Sequence, residues 1–455
     1  MAEAAHFARG RAFALIFAVM LWRARWVITS DPELGTIEDG ALITEGERIA
    51  DVGIAPELIK KYDGETFEFP MGIIMPGLIN AHTHAAMVGF RGLADDLPLS
   101  EWLGDYIWPA ERAIVSEDFI RHAAKIAISE MLRTGTTLFV DMYFFEEVLA
   151  EEVKKAGMRA VLTEGVIDYP TPSARTPEEG LERTRGFIER WKGDDRVYPG
   201  VGLHAPYSCS ESLIKAGAEM AKEFGVILHM HLSETRTELD DIGRSKGTTP
   251  VRFLDELGVL GPWFVGAHGV WVDKRDRDIL AKRGAGIVHC PQSNCKLASG
   301  IAPVPGYMAQ GVRLGLGTDG AASNNNLDMF DEMRTCALIH KAQTCDPTAV
   351  RAADVIRMAT SGGAETLGLG ERIGSLTPGK LADFIVIDGR KPHLRPLRSP
   401  ESHVVYSASG EDVVWVVVGG EVLVEDGKVL TISQNDIDEA EAFIDEKIKE
   451  VFPCT

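Results

Sequence analysis

The chain is short of the features that would tie it to an oxidising compartment, a membrane or nucleic acid. It has six cysteines in 455 residues, scattered and without a CxxC pair. That spacing matches neither a disulfide framework nor a cysteine zinc site, and it reads as the reduced thiols of a cytoplasmic protein. Positive charge is scarce, with 47 Lys and Arg against 68 Asp and Glu and a net charge of -21. Nucleic-acid binding rewards clustered Lys and Arg, so no nucleic-acid partner is expected. The apolar stretch AFALIFAVMLW, residues 12–22, sits behind Arg9 and Arg11 like the centre of an export signal. It is too short to span a bilayer, which takes about 20 apolar residues, and no A-x-A-like cleavage site follows it. Residues 1–22 are therefore read as an N-terminal extension, and no membrane contact is expected. No Gly-x-Gly-x-x-Gly opens a helix after a strand, which removes the main support for a dinucleotide-binding sheet.

Hydrophobic residues make up 45% of the chain and charged residues 25%, enough for a large core. Short β-like segments with turns fill residues 24–75 and recur at 374–388 and 412–430. Alike in style, they are expected to pair into one small β-sandwich made from 23–74 and 373–432, followed by a helical tail at 433–455. Between these blocks the pattern alternates. Eight apolar runs suited to buried parallel strands appear: LINAHTH (78–84), TTLFVDMYF (136–144), RAVLTEGVI (159–167), GVGLHAPY (200–207), VILHMHLSE (226–234), WFVGAHGVW (263–271), GIVHCPQSN (286–294) and VRLGLGTDG (312–320). Helical stretches lie between most of them, with Ser116 and Thr176 as N-caps and Gly135 and Gly225 as stops. The expected architecture is α/β, a (β/α)8 barrel over 75–372.

A barrel enzyme carries its chemistry at the C-terminal ends of its strands. Ionisable residues end several of these runs: His82 and His84, Asp141, Glu164, His204, His229 with His231 and Glu234, His268, His289 and Asp319. Side chains at i and i+2 of a strand share a face, so His82 and His84 can offer two imidazoles to one metal ion. His231 and Asp319 are the best-placed further ligands, though His229 shares a face with His231 and spacing does not separate the two. No strand run contains a lysine, so one metal is preferred to two bridged by a carbamylated lysine. Cys290 and Cys295 do not form a P-C-x-x-C zinc-ligand pair and are read as packing residues.

The spaced motifs PGLINAHTH, HMHLSE, GAHGVW, HCPQSNCKLASG, GLGTDGAASNNN and GSLTPGKLADFIVID resemble the amidohydrolase superfamily and its cytosine-deaminase-like branch. RGLADDLPLSEWLGDYIWPAE and HAPYSCS narrow the resemblance to deaminases of S-adenosylhomocysteine and 5'-methylthioadenosine. The resemblance implies one divalent ion, zinc with iron or manganese as alternatives, on His82, His84, His231 and Asp319. It implies that Glu234 shuttles protons, and that His268 and Asp319 act on the attacking water. It places Trp102, Glu111, His204 and Glu234 against a purine nucleoside, with Arg175 toward an amino-acid tail and Arg183 in the same region. It makes His229 an outer or core residue and implies a homo-oligomer. The alternative is a relative acting on a free base or a triazine. Residues 85–111 are expected to cover the substrate.

Overall fold

The computed structural model describes residues 19–452. Residues 12–18 of the apolar stretch and Cys454 lie outside the described residues. The chain begins with β1 (Val19–Ile28), β2 (Thr36–Glu45), β3 (Arg48–Ile54) and β4 (Glu65–Pro76). The extension is thus shorter than expected: residues 19–22 already belong to β1, and Trp22 is fully buried with its indole N–H on Thr44. Eight parallel strands follow: β5 (Leu78–Thr83), β6 (Thr136–Tyr143), β7 (Arg159–Val166), β8 (Val197–Leu203), β9 (Leu228–Leu232), β10 (Phe264–His268), β11 (Gly286–His289) and β12 (Arg313–Leu316). Each lies within an apolar run expected to be a strand, apart from the first residues of β8. The chain then returns through β13 (Phe384–Asp388), β14 (Val413–Val418), β15 (Glu421–Glu425) and β16 (Lys428–Val429).

The terminal strands form one continuous mixed sheet in the order β16-β15-β14-β13-β4-β1-β2-β3, so the expected sandwich is a single sheet rather than two. It coils on itself. Three strand spacings, about 14 Å, separate β1 from β14, yet Trp22 meets Trp415 edge-on at 5.5 Å while stacking on Phe67 at 4.3 Å. The turn after β14 lies against the turn after β2: a Cβ on Gly420 would fall 2.1 Å from the carbonyl oxygen of Gly46. Coiling gives two-sheet packing without a second sheet because twist accumulates across eight strands.

The barrel strands pair in sequence from β5 to β12. Closure is made by the Asp319 amide on the His82 carbonyl at 3.0 Å and by Asn80, whose side chain bonds both the amide and the hydroxyl of Thr318. Gly317 permits this approach, since a Cβ there would sit 2.7 Å from the His82 backbone. Helices wrap the outside. Glu117–Arg133 starts on the Ser116 hydroxyl, and Pro177–Trp191 starts on that of Thr176. The tail helix Gln434–Val451 packs on Glu117–Arg133, burying Ala440 and Ile444 and stacking Phe443 on His122 at 4.1 Å.

Candidate active site

The site is built at the C-terminal ends of the barrel strands, and a bulge aims its first two histidines. Ile79 and Ala81 pack in the barrel interior with Leu138 and Val140. Strict alternation from those residues would turn His82 outward. Between Asn80 and Thr83, however, three residue steps of β5 face two of β6, from Phe139 to Asp141. The extra residue restores His82 and His84 to the interior, the kind of re-aiming for which bulges occur beside active sites.

Four imidazoles then share one arrangement. His84 places Nδ1 2.5 Å from the Met142 carbonyl, His231 places Nδ1 2.8 Å from the His204 carbonyl, and His268 places Nδ1 2.9 Å from Asn294 Oδ1. These partners only accept, so each Nδ1 carries the proton and each Nε2 is a free lone pair. His82 fits the same pattern, with Nδ1 3.1 Å from His229 Nε2. His229 therefore stands behind His82 as an outer partner, which separates it from His231.

The Nε2 atoms of His82 and His84 face Asp319, and that of His231 faces His84. Its Oδ1 lies 3.5 Å from His82 Nε2 and 3.3 Å from His84 Nε2, and His84 Nε2 lies 3.2 Å from His231 Nε2. Ligand atoms about 2.0–2.1 Å from a tetrahedral zinc ion are about 3.3 Å apart, so the spacing fits a metal ion. His82 Nε2 is buried with no hydrogen-bond partner of its own. Two metal-capable groups overlap here, His82–His84–His231 and His82–His268–Asp319.

Electrostatics agree. Burial pushes His82 down to about 4 and holds His231 well below its ordinary value, leaving both neutral. Burial also lowers His84, but Asp319 outweighs it and lifts His84 to about 9, so its Nε2 binds a cation at neutral pH, a proton or a metal ion. Burial would raise Asp319, yet the adjoining His82 and His84 imidazoles hold it well below the usual carboxylate range. Its other oxygen accepts the hydroxyls of Ser293 at 2.6 Å and Ser323 at 3.0 Å. Ser233, His268 and Asp319 take left-handed φ angles of 52°, 73° and 62°, a strained backbone that non-glycine residues adopt where the surroundings enforce it.

A third group, His289, Cys336 and His340, also gathers donor atoms. Both of its Nδ1 atoms lack partners, whereas metal-bound histidines nearly always give that N–H to an acceptor. It reads as a packed histidine pair. Cys290 is buried as expected, but Cys295 is exposed.

Glu234 and His268 lie side by side, Oε2 to Nε2 at 3.8 Å, and Ser299 donates to the other Glu234 oxygen. On the other side of His84 the Tyr143 ring leans at 6.2 Å, and its hydroxyl donates to Glu111 Oε1 at 2.7 Å. Burial pushes Glu111 up to about 7 against that bond. A π-helical turn, Trp102–Ile107, precedes Glu111 and buries Trp102. His204 is half-buried, 5.0 Å from the His231 ring, with Nδ1 2.7 Å from Ser208. Arg175 is the sequence candidate that the structure does not bring in. It is exposed before a helix N-cap, with its backbone amide on Glu179. Arg183 lies closer, over the Phe145 ring and 3.9 Å from Glu164. Asn294, Ser293, Ser323 and Tyr143 went unsingled in the sequence, though Tyr143 stands two residues after Asp141, a position already marked.

An amidohydrolase family model matches residues 73–423. The chain belongs to the amidohydrolase family. It is 48% identical over 424 residues to a 5-methylthioadenosine/S-adenosylhomocysteine deaminase of Syntrophobacter fumaroxidans, covering 93% of this chain and 97% of that one. It is 45% identical to a 5'-deoxyadenosine deaminase of Methanothermobacter thermautotrophicus, covering 90% and 95%. Among solved structures, an adenosine deaminase from Xanthomonas campestris with bound zinc superposes with a TM-score of 0.93 at 34% identity, covering 95% and 98%. An atrazine chlorohydrolase from Arthrobacter aurescens shares the fold, with a TM-score of 0.86 at 24% identity. Among the described residues, no helix is long and apolar enough to cross a membrane.

Proposed function

We propose that this amidohydrolase deaminates 5'-substituted adenosines, S-adenosylhomocysteine and 5'-methylthioadenosine foremost, with adenosine and 5'-deoxyadenosine in the same class. The products are the corresponding inosine derivatives and ammonia. The observation that carries the reading is the flanking of the convergent imidazoles, by the Glu234–His268 pair on one side and by the buried Glu111 on the other. The reading includes a cytoplasmic location, an expectation from the scattered cysteines, and a homo-oligomer, an expectation carried by the family resemblance alone.

His82, His84, His231 and Asp319 would hold one divalent ion, zinc by their nitrogen and carboxylate chemistry. Such an ion supplies a water acidic enough to be hydroxide near pH 7. His268 and Asp319 orient that water and accept its proton. Glu234 gives a proton to purine N1, which makes C6 electrophilic. Oxygen adds to C6, the proton taken from the water passes to the amino group, the C6–N bond breaks to release ammonia, and the remaining hydroxyl proton returns to Glu234 as the C6 carbonyl forms. Glu111 accepts hydrogen bonds from the ribose hydroxyls, and Trp102 and His204 pack on the nucleoside. A substrate without the hydroxyls leaves a buried carboxylate unpaired, and this favours nucleosides over free bases and triazines.

The test is ammonia release from S-adenosylhomocysteine, 5'-methylthioadenosine, 5'-deoxyadenosine, adenosine, guanine, cytosine and a chlorinated triazine, with metal content measured in parallel. Adenosine derivatives should turn over, and Glu234→Gln should lose roughly 10²–10⁴-fold in kcat while retaining metal. Turnover confined to guanine, cytosine or the triazine would overturn the substrate assignment.

A further inference from the structure

The mechanism leaves one polar group at the barrel mouth without a task, the Tyr143 hydroxyl. Tyr143 ends β6 and is 3% exposed, and Glu111 is 7% exposed. Glu111 comes from the segment that joins β5 to β6 and Tyr143 from the end of β6, and the hydroxyl donates to Glu111 Oε1 at 2.7 Å, a short bond to a carboxylate. Glu111 sits on the segment Trp108–Ile114, directly after the π-helical turn. Among the described residues, no other hydrogen bond holds its side chain. Without the hydroxyl the carboxylate would be free to rotate about its last torsion, which is broad and weakly restrained.

We infer that Tyr143 is a positioning residue for ribose recognition. Its hydroxyl occupies one lone pair of Glu111 Oε1, fixes the plane of the carboxylate and leaves Oε2 and the remaining Oε1 lone pair for the two ribose hydroxyls. The inference rests on the role given to Glu111 in the proposed function. It assigns Tyr143 no contact with the reacting atoms. Tyr143 also links the nucleoside side of the site to the metal side, because the neighbouring Met142 carbonyl orients His84.

Adenosine and 2',3'-dideoxyadenosine separate this role from a structural one. Tyr143→Phe keeps the ring that leans on His84 and packs against Phe144 at 4.7 Å. The ratio of kcat/KM for adenosine to that for the dideoxy compound should fall about tenfold in Tyr143→Phe, as expected for losing one hydrogen bond to a charged group. The fall should lie in KM for adenosine rather than in kcat, and metal content should match the wild type. In a Glu111→Gln background, adding Tyr143→Phe should leave the ratio where Glu111→Gln alone puts it. Equal losses on both substrates, or no change in the ratio, would overturn the inference while leaving Glu111 in place. A wild-type enzyme that does not prefer adenosine over the dideoxy compound would remove the Glu111 role and this inference together.

Discussion

Four histidines at the ends of three strands would be unremarkable if their rings pointed at random. What makes them a site is the second nitrogen. Each Nδ1 is held by an acceptor supplied by a neighbouring element, and the Nε2 atoms of His82, His84 and His231 are left close together, the first two beside Asp319. Residue types and spacing revealed His82, His84, His231 and Asp319 as candidates, because strand alternation and metal chemistry act on identity alone. The partners were not legible, since a backbone carbonyl has no sequence signature and Asn294 sits on the short helix Pro291–Lys296 among other polar residues. Glu111 shows what burial adds to identity. Its carboxyl is raised to about 7, chiefly by burial, so it stays protonated to higher pH than an ordinary glutamic acid. Protonation removes an acceptor that the ribose hydroxyls use. Because kcat/KM reports the free enzyme, the preference for adenosine over 2',3'-dideoxyadenosine should weaken as pH falls from about 8 to about 6. Taking the ratio of the two substrates cancels groups that both share. A ratio that is flat across this range would show that Glu111 is not the ribose acceptor.

At the scale of elements, a recurring device holds the loops that carry the site. Buried carboxylates accept loop amides after four of the strands. Asp141 takes Ala85 after β5, and Glu164 takes Phe145 and Glu146 after β6. Glu238 takes Ser233 and Glu234 after β9, and Glu332 takes Gln292 after β11. The eight strands were readable because short apolar runs closed by polar residues have few other uses in a chain of this size. Asp141 and Glu164 stood out as ionisable strand residues, but Glu238 and Glu332 did not, because a glutamate in the first turn of a helix looks the same whether it caps solvent or a buried loop. Glu238 tests the device. It is 3% exposed, and burial lifts it to about 8 despite its two amide bonds. Its folded value lies far above its unfolded one of about 4.3, so the folded protein binds the extra proton and stability falls as pH rises from about 4 through 8. Glu238→Gln loses one amide bond at every pH but never buries a charge. Its deficit in Tm should therefore be largest near pH 5 and narrow toward pH 8, and a constant or widening gap would refute this account.

For the whole molecule, the question is what couples a coiled sheet made from both chain ends to a barrel made from the middle. The answer centres on Arg159 at the start of β7. Its guanidinium grips Asp383, just before β13, with Nε to Oδ2 at 2.7 Å and a second nitrogen to Oδ1 at 3.2 Å. It also donates to the Asp195 carbonyl at 2.6 Å, while Asp383 accepts the Gly419 amide at 2.6 Å. Both charges are almost wholly buried, at 2% and 5% exposed. Such a pair gains little over apolar residues of similar size, because desolvation offsets most of the attraction. Removing one partner is different, since the other charge is left buried and alone. Asp383→Asn keeps an oxygen for the Gly419 amide but strands the guanidinium, and it should cost about 3–5 kcal/mol. Arg159→Met in the same chain removes the stranded charge and should restore a large part of that loss. Denaturant unfolding of the wild type, both single variants and the double variant closes the cycle. If the double variant is as unstable as the sum of the singles, the two charges are not coupled, and this pair is not what joins the barrel to the terminal sheet.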